Sequence, residues 1–215
     1  MEDGVTGHMN RFSVLAAASL SLIVSAAALP AGDVHPGDAQ AGAGKATVCQ
    51  ACHGANGNSA NGQWPSLAGI GADYIAEQLQ SFKDGKRNNP IMMPLAAALS
   101  PQDMADLGAY FDTLANTGLE ADPSYWQAGQ KLYRGGDKDR GIPACEACHG
   151  PTGAGNEPGK FPALRGQHSE YVVKQLNDYV SGARPAGPGG IMPVIAKRLS
   201  AEDIRNLASY VQGLR

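Results

Sequence analysis

Two pentapeptides combine a pair of cysteines with an adjacent histidine, and together they contain all four cysteines of the chain. They are Cys49-Gln-Ala-Cys52-His53 and Cys145-Glu-Ala-Cys148-His149. The spacing Cys-x-x-Cys-His is typical of covalent haem attachment. Each thiol adds to one vinyl group of the porphyrin, and the histidine then lies under the ring as an iron ligand. The motifs therefore predict two haem c groups, each held by two thioether bonds.

Four cysteines could also form disulfides, a thioredoxin-like redox pair or two zinc sites. A thioredoxin-like pair needs a βαβ pattern, and neither motif is surrounded by one. A zinc site would lack a fourth ligand nearby in the sequence, and Cys-x-x-Cys-His crowds three donors together. Because both motifs lie in a repeated unit of an exported chain, we favour haem.

The N-terminal segment has the pattern of a secretory signal peptide. One basic residue, Arg11, precedes an apolar run from Phe12 to Leu29, and three alanines at 26–28 offer a small-residue cleavage site. The run is about 18 residues long and rich in Ala and Ser, so it would barely span a bilayer. We therefore predict a cleaved signal peptide over residues 1–28, with Met9 as an alternative start, and a periplasmic location.

Composition bears on the expected partners and on the hydrophobic core. The formal net charge is −3 and no run of basic residues occurs, so nucleic acid is not an expected partner. The 28 glycines and 14 prolines make up about a fifth of the 215 residues. That share is high for a chain with a self-sufficient hydrophobic core. Buried haem would supply the missing apolar mass.

An internal repeat sets the domain organisation. The two haem motifs begin 96 residues apart, and the segments that follow them match at offsets of 97 and then 100. The matched pairs are Pro65 and Pro162, Tyr74 and Tyr171, Gln78 and Gln175, Met92 and Met192, and Ser100 and Ser200. We predict tandem domains over residues 29–117 and 124–215, joined by a linker at 118–123 where Gly and Pro break the helical pattern.

Each unit has helical periodicity and needs no strand. The predicted helices run from Gly42 to Cys49, Asp73 to Lys83, Trp126 to Tyr133 and Ser169 to Ser181, and a last helix follows Ser100 and Ser200. Asp73, Ser169, Ser100 and Ser200 are the predicted N-caps, and Pro101 takes a first helical position. The predicted fold class is all-α, with two small helical bundles that each surround one haem.

The motif histidines, His53 and His149, would each fill one of the two axial positions of an iron. Methionine recurs at Met92 and Met192, in predicted loops eight residues before the N-cap serine. A thioether is a soft ligand that favours ferrous iron. Met93 competes for the first site because, like Met192, it directly precedes a proline. We favour Met92 because the helix that follows sets the register.

Further residues recur near the predicted irons. Pro65 and Pro162 lie 12 and 13 residues after the motif histidines, where a backbone carbonyl could accept a hydrogen bond from the imidazole. Arg87 and Arg184 follow the second helices and could pair with haem propionates. Turn prolines and solvated arginines are the plainer alternatives. His168 has no counterpart in the first unit, and we interpret it as an ordinary polar residue at the domain interface.

With these residues in place, residues 37–215 resemble the dihaem cytochrome c4 family. The resemblance rests on Cys49-x-x-Cys52-His53, Leu132-Tyr133-Arg134-Gly135-Gly136, Phe161-Pro162-x-Leu164-x-Gly166-Gln167-His168 and Lys197-x-Leu199-Ser200. It implies two class I cytochrome c domains that face each other across an approximate twofold axis, with the propionate edges close and His/Met ligation at both irons. The chain departs from the family pattern at Met92-Met93-Pro94.

The resemblance also implies a periplasmic electron shuttle, loosely associated with a membrane, whose protein partners are an electron donor and a terminal oxidase. Filled axial positions argue against enzyme activity and a small-molecule substrate. Two alternatives stay open. One is a cytochrome subunit of a larger dehydrogenase, such as a sulfide-oxidising flavocytochrome. The other is a dihaem peroxidase or ligand sensor, which needs a vacant or displaceable sixth ligand.

Overall fold

The computed structural model describes residue 1, residues 36–184 and residues 190–215. Apart from Met1, the predicted signal peptide lies outside this part of the chain. The described residues contain helices and two isolated bridges but no strand, so the predicted all-α class is confirmed. The first five helices are α1 (Ala39–Lys45), α2 (Thr47–His53), α3 (Ala72–Lys83), α4 (Met92–Ala97) and α5 (Pro101–Asp112). The next five are α6 (Trp126–Gly135), α7 (Glu146–His149), α8 (Ser169–Ser181), α9 (Ile191–Ala196) and α10 (Ala201–Gly213).

The same packing occurs twice. In the first set α1 and α3 pack on α5, and α4 packs on α3; in the second set α6 and α8 pack on α10, and α9 packs on α8. Leu107 and Phe111 on α5 lie at the centre of the first core, and Tyr133 on α6 and Val211 on α10 lie in the second. Both sets belong to one compact unit. None of the described helices has the length and apolar character needed to cross a bilayer.

The first and last helices of each set touch through a glycine. A Cβ atom at Gly42 would lie 2.0 Å from the carbonyl oxygen of Asp106, and one at Gly129 would lie 2.0 Å from that of Asn206. By contrast, a Cβ atom at Gly44, on the same helix as Gly42, would meet nothing within 4 Å. Gly42 and Gly129 are therefore required by these two crossings, because a side chain there would separate the two backbones.

The predicted N-caps of the last helices are confirmed. Ser100 and Ser200 each accept a hydrogen bond from the backbone N–H three residues on, at Asp103 and Asp203, whose carboxylates accept in return. Pro101 is the first residue of α5, where its missing N–H costs no helical bond. Helices α5 and α10, which follow the two methionines, therefore begin in the same way, each with a reciprocal capping box.

Two other predicted N-caps are wrong. Helix α3 begins at Ala72 after Gly71, whose φ of 112° turns the chain into the helix, so Asp73 lies inside the first turn. Its carboxylate there favours the helix through the positive N-terminal dipole rather than as a cap. Helix α8 begins at Ser169 itself, and the N-cap position is held by His168.

The helices around the ligands also differ from expectation. The single helix predicted from Gly42 to Cys49 is two helices that meet at buried Ala46, just before the β-branched pair Thr47 and Val48. The methionines lie in short helices, not loops. Asn89 holds the start of α4, since its Oδ1 accepts the N–H groups of Ile91 and Met92 at 2.9 and 3.0 Å. A helix of six residues is too short for its periodicity to be recognised.

Candidate haem sites

Each motif histidine is buried and donates a hydrogen bond to a proline carbonyl. The Nδ1 atom of His53 lies 2.8 Å from the carbonyl oxygen of Pro65, and that of His149 lies 2.9 Å from the oxygen of Pro162. These are the contacts that the sequence analysis predicts for an iron ligand and its support. With the proton on Nδ1, Nε2 carries the lone pair that can bind a metal. The structure therefore presents two oriented imidazoles.

The pKa shifts of the motif side chains fit metal binding by the histidines and argue against a redox-active pair of cysteines. Burial lowers the pKa of His53 and of His149, against an opposing effect of the proline carbonyls, and neutral imidazole is the form that binds metals. Burial raises the pKa of the Cys49 thiol and raises that of Cys145 to about 11. Redox-active Cys-x-x-Cys pairs have lowered thiol pKa values. No disulfide joins any of the four cysteines in the structure, so the disulfide alternative finds no support there.

A cavity of about 190 Å³ lies beside the second motif. Its wall includes Cys145, Cys148 and His149, together with Met192 from α9. The rest of the wall in this domain is mostly apolar and includes Leu164, Val172, Leu176, Ile195, Leu199, Leu207 and Val211, with polar side chains that include Gln167 and Arg184. Two thiols, an imidazole and a thioether around an apolar cavity fit a covalently bound haem. The cavity is also lined by Ile70, Tyr74 and Gln78, so the first domain completes the second site.

The first site has the same components. His53 ends α2, Cys49 packs against the core around Phe111, and Met92 begins α4, where its side chain is half-buried. Ala96 and Ala196, each four residues after a candidate methionine, are both fully buried. This match supports the register in which Met92, rather than Met93, corresponds to Met192.

The two recurring arginines lie between the domains and not in solvent. Arg87 and Arg184 are 9% and 6% exposed, and their guanidinium groups stack on the rings of Phe82 and Tyr179 at 4.6 Å. Arg87 donates to Gln78, Tyr171 and Gln175 at 2.6–2.8 Å, and Arg184 donates to Gln175, Tyr74 and Gln78 at 2.5–3.0 Å. Each arginine thus donates hydrogen bonds both to its own domain and to the other domain.

These tyrosines and glutamines are functional candidates that the sequence analysis did not single out. A signal was available, because Tyr74 and Gln78 recur as Tyr171 and Gln175 at an offset of 97. In the sequence analysis they serve only as matched positions of the repeat. His168 does lie at the interface, as interpreted: its Nε2 is 2.8 Å from the carbonyl oxygen of Ser59 in the first domain.

Comparison with known proteins agrees with this geometry. The profile of the family described as Cytochrome c matches residues 39–115 and again residues 126–215. Cytochrome c4 of Azotobacter vinelandii is 47% identical to the chain, over 83% of it and 90% of the relative. The crystal structure of reduced recombinant cytochrome c4 from Pseudomonas stutzeri superposes with a TM-score of 0.81 at 44% identity, covering 83% of this chain and all of that one. A protein named thiosulfate dehydrogenase electron acceptor, from Stutzerimonas stutzeri strain A1501, is 39% identical over 80% of this chain and 81% of its own length.

Two tandem matches to the cytochrome c profile account for both Cys-x-x-Cys-His motifs, and hence for two covalently bound haem c groups. Several relatives of 44–48% identity over most of the chain are cytochromes c4. The chain therefore belongs to the cytochrome c4 family of dihaem electron-transfer proteins.

Proposed function

We propose that this protein is a periplasmic carrier in which both irons have one histidine and one methionine ligand. His53 with Met92 would hold the first iron, and His149 with Met192 would hold the second. The observation that carries this proposal is the single cavity lined by both thiols, the imidazole and the thioether of the second set. Each bound haem supplies a one-electron Fe(II)/Fe(III) couple. With these histidines and methionines as ligands, neither iron would keep a coordination site for a substrate.

The proposal extends to the buried arginines. Among the described ion pairs and hydrogen bonds, the two guanidinium groups have only tyrosine and glutamine partners. Burying them in this way costs free energy, since a buried cation needs a counter-charge. Haem propionates at the domain interface would supply that charge, and Arg184 already lines the second cavity. Arg87 and Arg184 would then hold both domains and both haems together through one network.

The partners would be redox proteins: a donor that reduces the carrier and a terminal oxidase that receives its electrons. The interface supports internal electron transfer, because Tyr74 and Gln78 of the first domain lie in the wall of the second haem cavity. Loose membrane association and export through the predicted signal peptide belong to the same proposal. Catalysis is no part of it.

Carbon monoxide tests the ligand arrangement directly. We expect the reduced, haem-loaded protein to keep its spectrum under carbon monoxide, because a bound thioether leaves no vacant position. The matched control is Met192→Ala, which opens one iron and should bind carbon monoxide at one haem. Binding to either haem of the unaltered protein would contradict the proposal and favour the peroxidase or sensor alternative.

A second candidate function is electron acceptor of a specific dehydrogenase. It is favoured by the 39% identity to a protein named thiosulfate dehydrogenase electron acceptor. The same two haem sites would serve, but the donor would be an enzyme that forms a defined complex with this chain. Purification from the native source distinguishes the two: a dehydrogenase that co-elutes in fixed ratio supports the second function, and a free carrier supports the first.

A further inference from the structure

The peptide group between Pro65 and Ser66 connects the first iron ligand to the other domain. Its carbonyl oxygen accepts the hydrogen bond from His53 Nδ1 at 2.8 Å. Its N–H, on Ser66, donates to the side-chain Oε1 of Gln167 at 2.9 Å. One peptide unit therefore joins an imidazole of the first domain to an amide of the second.

Gln167 is held in one orientation at this position. Its Nε2 donates to the carbonyl oxygen of Ser66 at 2.9 Å, so both ends of the amide bind the same residue. Gln167 is 6% exposed and Ser66 is 4% exposed. The two bonds together determine which end of the amide faces the Ser66 N–H, because a flipped amide would place donor against donor and acceptor against acceptor.

The second domain has the equivalent arrangement built from backbone. His149 donates to the carbonyl oxygen of Pro162 at 2.9 Å, and the N–H of the same peptide, on Ala163, donates to the carbonyl oxygen of Ile70 at 3.0 Å. Ile70 belongs to the first domain and occupies the repeat position of Gln167. Each domain therefore accepts a hydrogen bond from the peptide that supports the other domain's histidine, once through a side chain and once through the main chain.

Hydrogen bonds in such a chain strengthen one another, because an acceptor at a peptide N–H increases the negative charge on the carbonyl oxygen of that peptide. A stronger carbonyl acceptor draws more on the Nδ1 proton and makes the imidazole a more basic ligand. A more basic ligand stabilises ferric iron over ferrous iron and so lowers the reduction potential. This change in reduction potential should be largest at the iron whose histidine stands at the end of the series of hydrogen bonds.

We propose that Gln167 is a positioning residue that tunes the first haem from the second domain. It orients the Pro65–Ser66 peptide and strengthens the hydrogen bond of that peptide to His53. The proposal rests on ligation of the first iron by His53, which is part of the proposed function. Because Ile70 acts through its backbone, the corresponding interaction at the second haem survives side-chain substitution.

The variant Gln167→Met tests this, since methionine has a similar length but forms neither hydrogen bond. At a fixed potential we expect the ferrous-to-ferric ratio of the first haem to rise about threefold, a shift of about 30 mV at 59 mV per tenfold change for one electron. Gln167 also lines the second haem cavity, so the second haem should shift too, but by less than the first. In the ferrous protein, the NMR signal of the His53 Nδ1 proton should exchange faster with solvent, while that of His149 should not.

His168→Ala is the matched control, because it removes a neighbouring interdomain hydrogen bond, to Ser59, and leaves the Pro65–Ser66 peptide bonded. The variant Met192→His, which shifts the second haem, is used beforehand to assign each step of the redox titration to one haem. An unshifted first haem, an equal shift of both haems, or the same shift in His168→Ala would overturn the proposal. Should Gln167→Met not fold, Gln167→Asn, one methylene too short to reach Ser66, gives the same readings. Unaltered protein without two His/Met haems would refute the proposed function instead.

Discussion

Replacing Met192 with histidine is expected to lower the reduction potential of one haem and leave the other nearly unchanged. A thioether stabilises ferrous iron, whereas imidazole is a better donor to ferric iron. Axial ligands set haem potentials over about 0.8 V, so a fall of about 100 mV or more is expected. Met92→His should act in the same way on the other haem. A spectroelectrochemical titration of each variant resolves the two waves.

Met93→His is the control for register at the first site. If Met92 binds the iron, Met93→His leaves both reduction potentials and both methionine–iron bands unchanged. Met92→His instead lowers the potential of one haem and removes its methionine–iron band. The opposite result would transfer the ligand role to Met93 and leave His53 in place. Unchanged potentials in the Met92, Met93 and Met192 variants alike would contradict methionine ligation altogether.

Changing Cys145 and Cys148 together to alanine should give a one-haem protein whose second domain is poorly folded. The cavity beside this motif measures about 190 Å³, and an empty cavity costs roughly 24 cal/mol per Å³, or about 5 kcal/mol. That is comparable with the whole stability of an ordinary domain, about 5–15 kcal/mol. Hydrogen exchange should therefore quicken in α6, α8 and α10, and the helical signal should fall.

The double change of Cys49 and Cys52 to alanine is the matched control. It should remove the other haem and weaken α1, α3 and α5 instead. In both variants the other domain is also expected to lose some stability, because Ile70 and Tyr74 of the first domain line the second cavity. A second domain that keeps its helical signal and melting curve without haem would show that haem is not part of its core.

Local chemistry made much of the fold predictable. The Cys-x-x-Cys-His spacing and the N-caps at Ser100 and Ser200 each depend on a few adjacent residues, and both N-caps are present as expected. The support of His53 by Pro65 could also be anticipated, because the same proline recurs after both motifs. Signals of this kind depend on sequence neighbours and not on how the domains meet.

The domain interface could not be predicted in the same way. Arg87 was placed near a haem by its recurrence, but its contacts with Tyr171 and Gln175 join residues more than 80 positions apart. Gln167 looked like part of a family motif, and nothing in its spacing indicates that it binds Ser66. Such contacts follow from the mutual orientation of two folded domains, which no periodicity encodes.

The interface is also less symmetric than the repeat. Arg87 and Arg184 make reciprocal contacts, as expected of duplicated domains related by an approximate twofold axis. Gln167 and Ile70 occupy equivalent positions yet contact the opposite domain through different atoms. Duplication thus supplied two similar sites, and side-chain differences such as Ile70 against Gln167 give them distinct surroundings.

The most direct test of two His/Met haems is a spectroelectrochemical redox titration of the mature, haem-loaded protein. We predict two low-spin c-type haems, each titrating as one electron at high potential and each with the methionine–iron band when oxidised. A high-spin or low-potential haem would contradict this account, because one of Met92 and Met192 would then not be bound to iron.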